Sequence, residues 1–510
     1  MLVVSILALT SCKPLASSTI ETRQTNDSQT SVTNPFTTHS TTVSTLATTL
    51  TTTSTSIITT TQITVLTPIT TPTTASPSAI SPSTSLPPFN FSDILFGSSP
   101  SINAHAQVLD RVSGAVVVLV ALPNKPWLLA TFDFGDGIST NQWGDEKVTK
   151  PFPAEYHTYT NTNKNYIIAI TIQWADHTTD SITCVAYLLS VLKPISLPDD
   201  IKVTIPSTPV SLTSRMPGYG TTSSLTTFND SSFTAIPRST VEYVLSVAAS
   251  IQKGFVNDNV YLVDGGFNQV VLSDPNANGM YSLWYTSPVA FGAGNYAFQG
   301  TPQWSSFFHE MGHNMTLNSP ANFHYGGNTD GFAAAIYSET MAQIFQHAIA
   351  YCLINDYQTY GLNEGLVMDI ENSALNSMQI VKNSYEAYLA NGKHFASYND
   401  PSSAEDETFD TFMTIAYKFC EHAETSTLGY RTSLKRMMTL LQLFDADMAA
   451  KYDSNNNTEA AATFRSTLMV TALSYAFEQD LRPEFRDLNF PIDDKEYNIL
   501  YQEASSVSGQ

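Results

Sequence analysis

Hydrophobic and polar positions follow different patterns in successive parts of the chain. From about Ser17 to Pro88, Thr and Ser dominate with scattered Pro, and apolar residues recur with no period ("TTTSTSIITTTQITVLTPITTPTTASPSAISPSTSLPP"). Such a tract buries too little apolar surface to offset its ordering entropy, so it is expected to be a disordered stalk. From about Pro100 to Lys193, apolar and β-branched residues alternate in short runs ("GAVVVLVAL", "WLLATFDFG", "NYIIAITIQW", "ITCVAYLLSV"). Period two with intervening turns predicts an all-β sandwich.

After Leu197 the pattern is mixed. Ser239-Thr240-Val241-Glu242 reads as a capping box opening a helix whose apolar positions are Val241, Val244, Leu245, Ala248 and Ile251. "NVYLVDGGFNQVVL" reads as a hairpin across Asp-Gly-Gly, and "SLWYTSPVAFGAGNYAFQG" as one or two further strands. Beyond Thr301 the helical period prevails to the end, so a small sheet followed by a helical bundle is expected, an α+β order. The predicted layout is multidomain: a leader over 1–16, the stalk over 17–90, the sandwich over 98–195 and an α+β domain with a C-terminal helical bundle over 200–510.

Composition narrows the partners. The 510 residues carry a net charge of −22 with only 13% charged residues. Phosphate recognition needs clustered Lys and Arg, so nucleic acid is not expected as a partner. The opening "MLVVSILALTSC" is apolar, and Leu9-Thr10-Ser11-Cys12 resembles a lipobox, although a basic n-region is missing. Export follows under either reading, to the cell surface or the extracellular space, with membrane or surface attachment through the N-terminus as an option. Ser/Thr-rich tracts with Pro read as O-glycosylated stalks. The sequons at Asn26, Asn90, Asn229 and Asn456 suit an exported chain. Four cysteines without CxxC spacing are too few for a disulfide scaffold, so Cys352 and Cys420 are expected as buried thiols rather than as a pair.

Two stretches carry more specific signals. Phe132-Asp133-Phe134-Gly135-Asp136-Gly137, then Tyr156-His157-Thr158-Tyr159, then "YIIAITIQW" resembles the polycystic-kidney-disease (PKD) repeat, with Phe132 where that family has Trp. The resemblance implies an immunoglobulin-like spacer or weak binding module, in which His157 is structural. The second stretch is Phe307-Phe308-His309-Glu310-Met311-Gly312-His313-Asn314. Thr301 and Pro302 suit an N-cap and a first helical position, and Trp304, Phe307, Phe308 and Met311 give the helix a buried face. Histidines four apart project from one side of a helix, so two imidazoles can reach one Zn²⁺. Glu310 can reach the metal-bound water as general base. The competing reading is two core histidines that hold nothing.

A third ligand must come from elsewhere. Thr316 and Ser319 stand where a metzincin needs Gly and His, which removes that class. Asp330 and Glu339 are the next acids, with 16 and 25 residues between each and His313. "GNTDGFAAAIYSETMAQIFQHAIAYCLI" reads as one helix from Thr329 or Asp330, on which nine residues turn the two acids to opposite faces. Only one can serve the metal. Asp330 can cap the helix, whereas Glu339 lies mid-helix among apolar residues and requires a partner, so Glu339 is preferred and Asp330 is the alternative.

His309-Glu310-Met311-Gly312-His313, the spacer to Glu339, and the tail "ALSYAFEQDLRPEFRDLNFPID" together resemble the gluzincin metallopeptidases. Within them the likeness is to the enhancin-like, mucin-degrading family (peptidase family M-sixty), over about 300 residues from near Ser207. The resemblance implies a zincin-type catalytic domain with one Zn²⁺ on His309, His313 and Glu339, and Glu310 as base. It also implies endoproteolysis of glycosylated proteins; the chain itself is expected to be a monomer. The alternative from another class is a non-catalytic adhesin or glycan-binding protein with a relic peptidase head. His324 and Tyr325 are weighed as an oxyanion donor pair, Phe291 to Ala297 as a substrate-pairing edge strand, and Glu405-Asp406-Glu407 as a Ca²⁺ loop. Structural roles fit each of these as well or better.

Overall fold

A computed structural model describes residues 89–96 and 102–508, apart from 111–112, 124, 145–153, 189–196, 198–200, 209, 212–223, 226, 257–266, 275–278, 283–287, 293–297, 299–301, 319–328 and 330. The leader with Cys12, the stalk up to residue 88, Asn26, the His324–Tyr325 pair and Asp330 therefore lie outside the described residues.

A short helix, α1 (Ser92–Phe96), opens the described chain. Seven antiparallel strands follow: β1 (Asn103–Asp110), β2 (Ala115–Ala121), β3 (Trp127–Asp133), β4 (Ser139–Trp143), β5 (Ala154–Thr158), β6 (Tyr166–Trp174) and β7 (Thr179–Ala186). They form two sheets, ordered β1-β2-β5 and β4-β3-β6-β7. Alternation decides the faces: Tyr166, Ile168, Ile170, Ile172 and Trp174 all point into the core, against Val116, Val118, Val120 and Phe132. Gly135 takes φ +71, and a Cβ there would stand 2.4 Å from the Ile167 carbonyl oxygen, so only glycine fits the turn after β3. His157 stacks on Phe134 at 4.1 Å and its Nε2 lies 2.8 Å from Asp136 Oδ2, while the Tyr159 hydroxyl donates to the Phe134 carbonyl. These contacts give His157 a packing role within the sandwich.

The remainder begins with β8 (Ile201–Thr204), the two-residue strands β9 (Val210–Ser211) and β10 (Ser224–Leu225), and α2 (Arg238–Lys253). Then come β11 (Phe267–Ser273), β12 (Met280–Ser282) and β13 (Pro288–Phe291). The sheet order is β12-β13-β11-β8, with β11 parallel to both neighbours and β12 antiparallel at the edge. The turn and first arm of the expected hairpin into Phe267 lie outside the described residues; its second arm is β11. Phe291 ends the inner strand β13, and residues 293–297 of the expected edge strand lie outside the described residues; among the described strands β12 and β8 are the edges.

In α2 the expected apolar positions are buried, but the capping box is not formed. The helix starts behind Pro237, and Glu242 instead accepts from the Ile205 amide. The helical part runs α3 (Trp304–Asn318), α4 (Ser338–Asn355), α5 (Glu364–Ala390), α6 (Phe409–Thr425), α7 (Gly429–Leu441), α8 (Ala446–Tyr452), α9 (Glu459–Phe477), α10 (Arg482–Asp487) and α11 (Asp494–Ser508). Pro302 precedes α3 by two residues rather than opening it. Cys184, Cys352 and Cys420 are buried free thiols.

One hydrophobic core unites this sheet, the helices and α1, because Phe89, Phe91 and Leu95 are buried within it. Asn355 clamps Phe89 through both of its backbone groups, Glu424 accepts from the Phe91 amide, and Tyr417 and Lys382 donate to the Leu95 and Ile94 carbonyls. The sandwich therefore leaves from an anchored segment. Beyond β7, Tyr187 donates to Glu364 and packs its ring where Gly365 leaves room.

Candidate metal centre

The centre is built by two helices in contact. Trp304, Phe307, Phe308 and Met311 seat α3 in the core, each fully buried. That fixes the opposite side of its axis, where His309 and His313 stand one turn apart with ring centroids 4.8 Å apart. Gly312 lies where α4 crosses: a Cβ there would be 2.9 Å from the Ala342 Cα and 3.0 Å from the Phe345 Cβ. The missing side chain lets the two helices approach closely enough for a carboxylate one turn before Ala342 to reach the imidazoles.

That carboxylate is Glu339. Its Oε2 is 3.2 Å from His309 Nε2 and 3.3 Å from His313 Nε2. Three ligand atoms placed about 2.0–2.1 Å from one ion at tetrahedral angles stand about 3.3–3.4 Å apart, so the spacing matches the edges of such a site. The ligand atoms of His309, Glu310 and His313 also lie within 4.8 Å of one another. All four side chains are buried. Together they form a buried group that could hold a metal ion.

The surroundings orient it. Ser338 Oγ lies 3.0 Å from His313 Nδ1, within hydrogen-bond distance, and so fixes the ring with its Nε2 toward Glu339. Ser282 of β12 donates to the Glu310 carbonyl, tying the edge strand to α3. Glu310 Oε2 is buried with no hydrogen-bond partner. Burial raises the Glu310 carboxyl above its ordinary range, while the two histidines pull the other way. For Glu339, burial also acts to raise the carboxyl, but the His313 charge and hydrogen bonds from both imidazoles outweigh it and hold the group ionised. Burial disfavours the charged form of His313, and Glu339 more than offsets that. Four buried polar side chains with one orphaned oxygen are costly to leave uncompensated, and a bound cation would supply the compensation. The donor set fits zinc.

The structure thus brings His309, Glu310, His313 and Glu339 together. Glu339 is not mid-helix, however. It lies in the first turn of α4, which starts at Ser338 rather than near Asp330. Residues 331–337 form turns and bends instead of helix, so neither the argument from opposite helix faces nor the mid-helix argument for Glu339 applies, although Glu339 does lie against both imidazoles. Ser338 was not foreseen; its only signal was its place next to Glu339. Glu405, Asp406 and Glu407 are exposed, and Asp406 accepts from the Thr408 amide and hydroxyl in the turn before α6. No protein-family profile, characterised protein or solved structure matches this chain.

Proposed function

We propose that this chain is a zinc-dependent endopeptidase of gluzincin type, acting outside the cell on glycosylated, mucin-like proteins. One observation carries the chemical part of the reading: a single Glu339 oxygen sits at tetrahedral-edge distance from two imidazole nitrogens, beside a Glu310 oxygen with no hydrogen-bond partner. His309, His313 and Glu339 would hold the ion, leaving a fourth position for water and substrate, the mark of a catalytic rather than a structural site. A zinc ion held there would supply a water acidified to near neutrality and a Lewis acid for the scissile carbonyl. Glu310, whose Oε2 has no hydrogen-bond partner, would be the group that takes a proton from such a water and returns it to the leaving amine. The edge strand β12, antiparallel to its neighbour and bonded to α3 through Ser282, offers backbone groups along which an extended substrate can align.

The location and substrate class rest on the apolar start, the Thr/Ser stalk and the family resemblance of the HExGH stretch. Among the described residues no helix is long and apolar enough to cross a membrane. The PKD-like sandwich would act as a spacer in this scheme.

Metal analysis of the purified chain should return one zinc per molecule. Glu310→Gln should keep that zinc and lose cleavage by at least about 100-fold. A Glu310→Gln protein that still cleaves would remove the mechanism. Zinc-free protein with no activity would instead favour a non-catalytic surface protein. Equal cleavage of mucin-type and unglycosylated substrates would refute the substrate class alone.

A further inference from the structure

We propose that Arg465, through the loop of residues 452–456 that it organises, is the positioning residue for Ser338 and Glu339, and so sets how tightly the metal is held. The inference rests on the metal-binding reading above. Arg465 is fully buried in α9, yet no carboxylate is among its hydrogen-bond partners. Its guanidinium donates to the carbonyls of Tyr452 (2.8 Å), Asp453 and Asn456 (2.7 Å) and to Ser397 Oγ (3.4 Å). Burying a guanidinium is costly, and here three of its four hydrogen bonds go to carbonyls of one five-residue turn. A turn held by its carbonyls from inside is rigid, and Asp453 in it adopts the left-handed region at φ +44.

The outer side of that turn grips the approach to α4. The Ser454 carbonyl accepts from the Ala333 amide at 3.0 Å, and the Tyr452 hydroxyl donates to the Ala333 carbonyl at 2.8 Å. Both backbone groups of Ala333 are therefore held by the Arg465 turn. Gly331 is pressed so closely onto it that a Cβ would stand 2.5 Å from Asn455 Oδ1 and 2.8 Å from the Ser454 carbonyl. The Ser338 and Glu339 amides then bond to the Ala334 and Ala335 carbonyls, so the first turn of α4 is laid down directly on the clamped segment. Residues 331–337 are alanine-rich and would otherwise continue the helix upstream. The clamp is what starts α4 at Ser338, with Ser338 facing His313 and Glu339 facing both imidazoles.

The test compares the full-length chain with Tyr452→Phe, which removes only the bond to Ala333, and with Arg465→Lys, which cannot fill the fork. Tyr388→Phe, which deletes a buried hydroxyl bond to the Leu488 carbonyl elsewhere in the core, is the control for general destabilisation. Zinc affinity is read by competition with a chromophoric chelator, and amide hydrogen exchange over residues 333–339 is read on metal-free protein. Both clamp variants should bind zinc about 10- to 100-fold more weakly and exchange faster over 333–339, with Tyr388→Phe matching the parent in both. Folded Tyr452→Phe with parental zinc affinity and parental exchange overturns the proposal. Should Arg465→Lys fail to fold, Tyr452→Phe decides alone. A parent chain that binds no zinc refutes the peptidase reading, and the exchange measurement then judges the clamp: unchanged exchange in Tyr452→Phe overturns that too.

Discussion

His347 lies two turns beyond Glu339 on α4, fully buried, with Phe91 edge-on to its ring at 5.2 Å and the Gln343 amide donating to Nε2 at 2.9 Å. Burial, helped by the His309 charge, pushes its pKa down to about 3 from 6.5. The folded chain thus releases a proton that the unfolded chain keeps between those values. Stability from this residue is complete above about pH 6.5 and falls as the pH drops toward 3, by up to about 1.4 kcal/mol per unit. Acid unfolding of the metal-free protein should flatten in His347→Gln across that window; an unchanged slope would mean that His347 is not neutral in the fold. At this scale the sequence was informative about chemistry and silent about support. Histidines four apart and a lone acid in an apolar run mark a ligand set by type and spacing. Nothing in the order of residues says that Ser338 will meet His313, or that Arg465 will turn its fork toward three carbonyls, because those contacts join segments far apart in the chain.

Between elements, the decisive contact is α3 against α4 at Gly312. Replacing a mid-helix glycine by alanine ordinarily gains about 1 kcal/mol of helix propensity. Here the added methyl meets the Ala342 backbone at 2.9 Å, and overpacking of that kind costs about 1–3 kcal/mol. Steric cost wins: Gly312→Ala should lower stability by about 1 kcal/mol net and Gly312→Val by more, with zinc released more readily in each. Thermal melts with and without zinc check this, and a stabilised Gly312→Ala would contradict the close approach. Elements with strong periodicity were legible: the strands of the sandwich, α2, α7 and α9 lie where period two or the helical period put them. The misjudged elements share one cause. Residues 331–337 look helical by composition, and Ser239 looks like a cap. In each case a distant partner, namely the 452–456 turn and the Ile205 amide, sets the local conformation instead.

Across the whole molecule, Phe89–Phe96 acts as a wedge of the helical core while the sandwich is inserted between it and β8. Deleting residues 1–85 removes none of the contacts described for that wedge and should leave the melting temperature unchanged. Starting the chain at residue 98 removes Phe89, Phe91 and Leu95 from the core, each worth about 1.5–3 kcal/mol of burial, and should cause a clear fall. Equal melting temperatures for the two truncations would mean that the wedge contributes nothing to the fold.

The wedge also decides where mechanical load would go. Tension applied through the chain ahead of Phe89 meets the Asn355 clamp and the Phe91–Glu424 bond first. The pull is delivered to the helices around the buried histidines before it reaches any strand of the sandwich. A pull on the chain ahead of Phe89 would therefore load the helical core first.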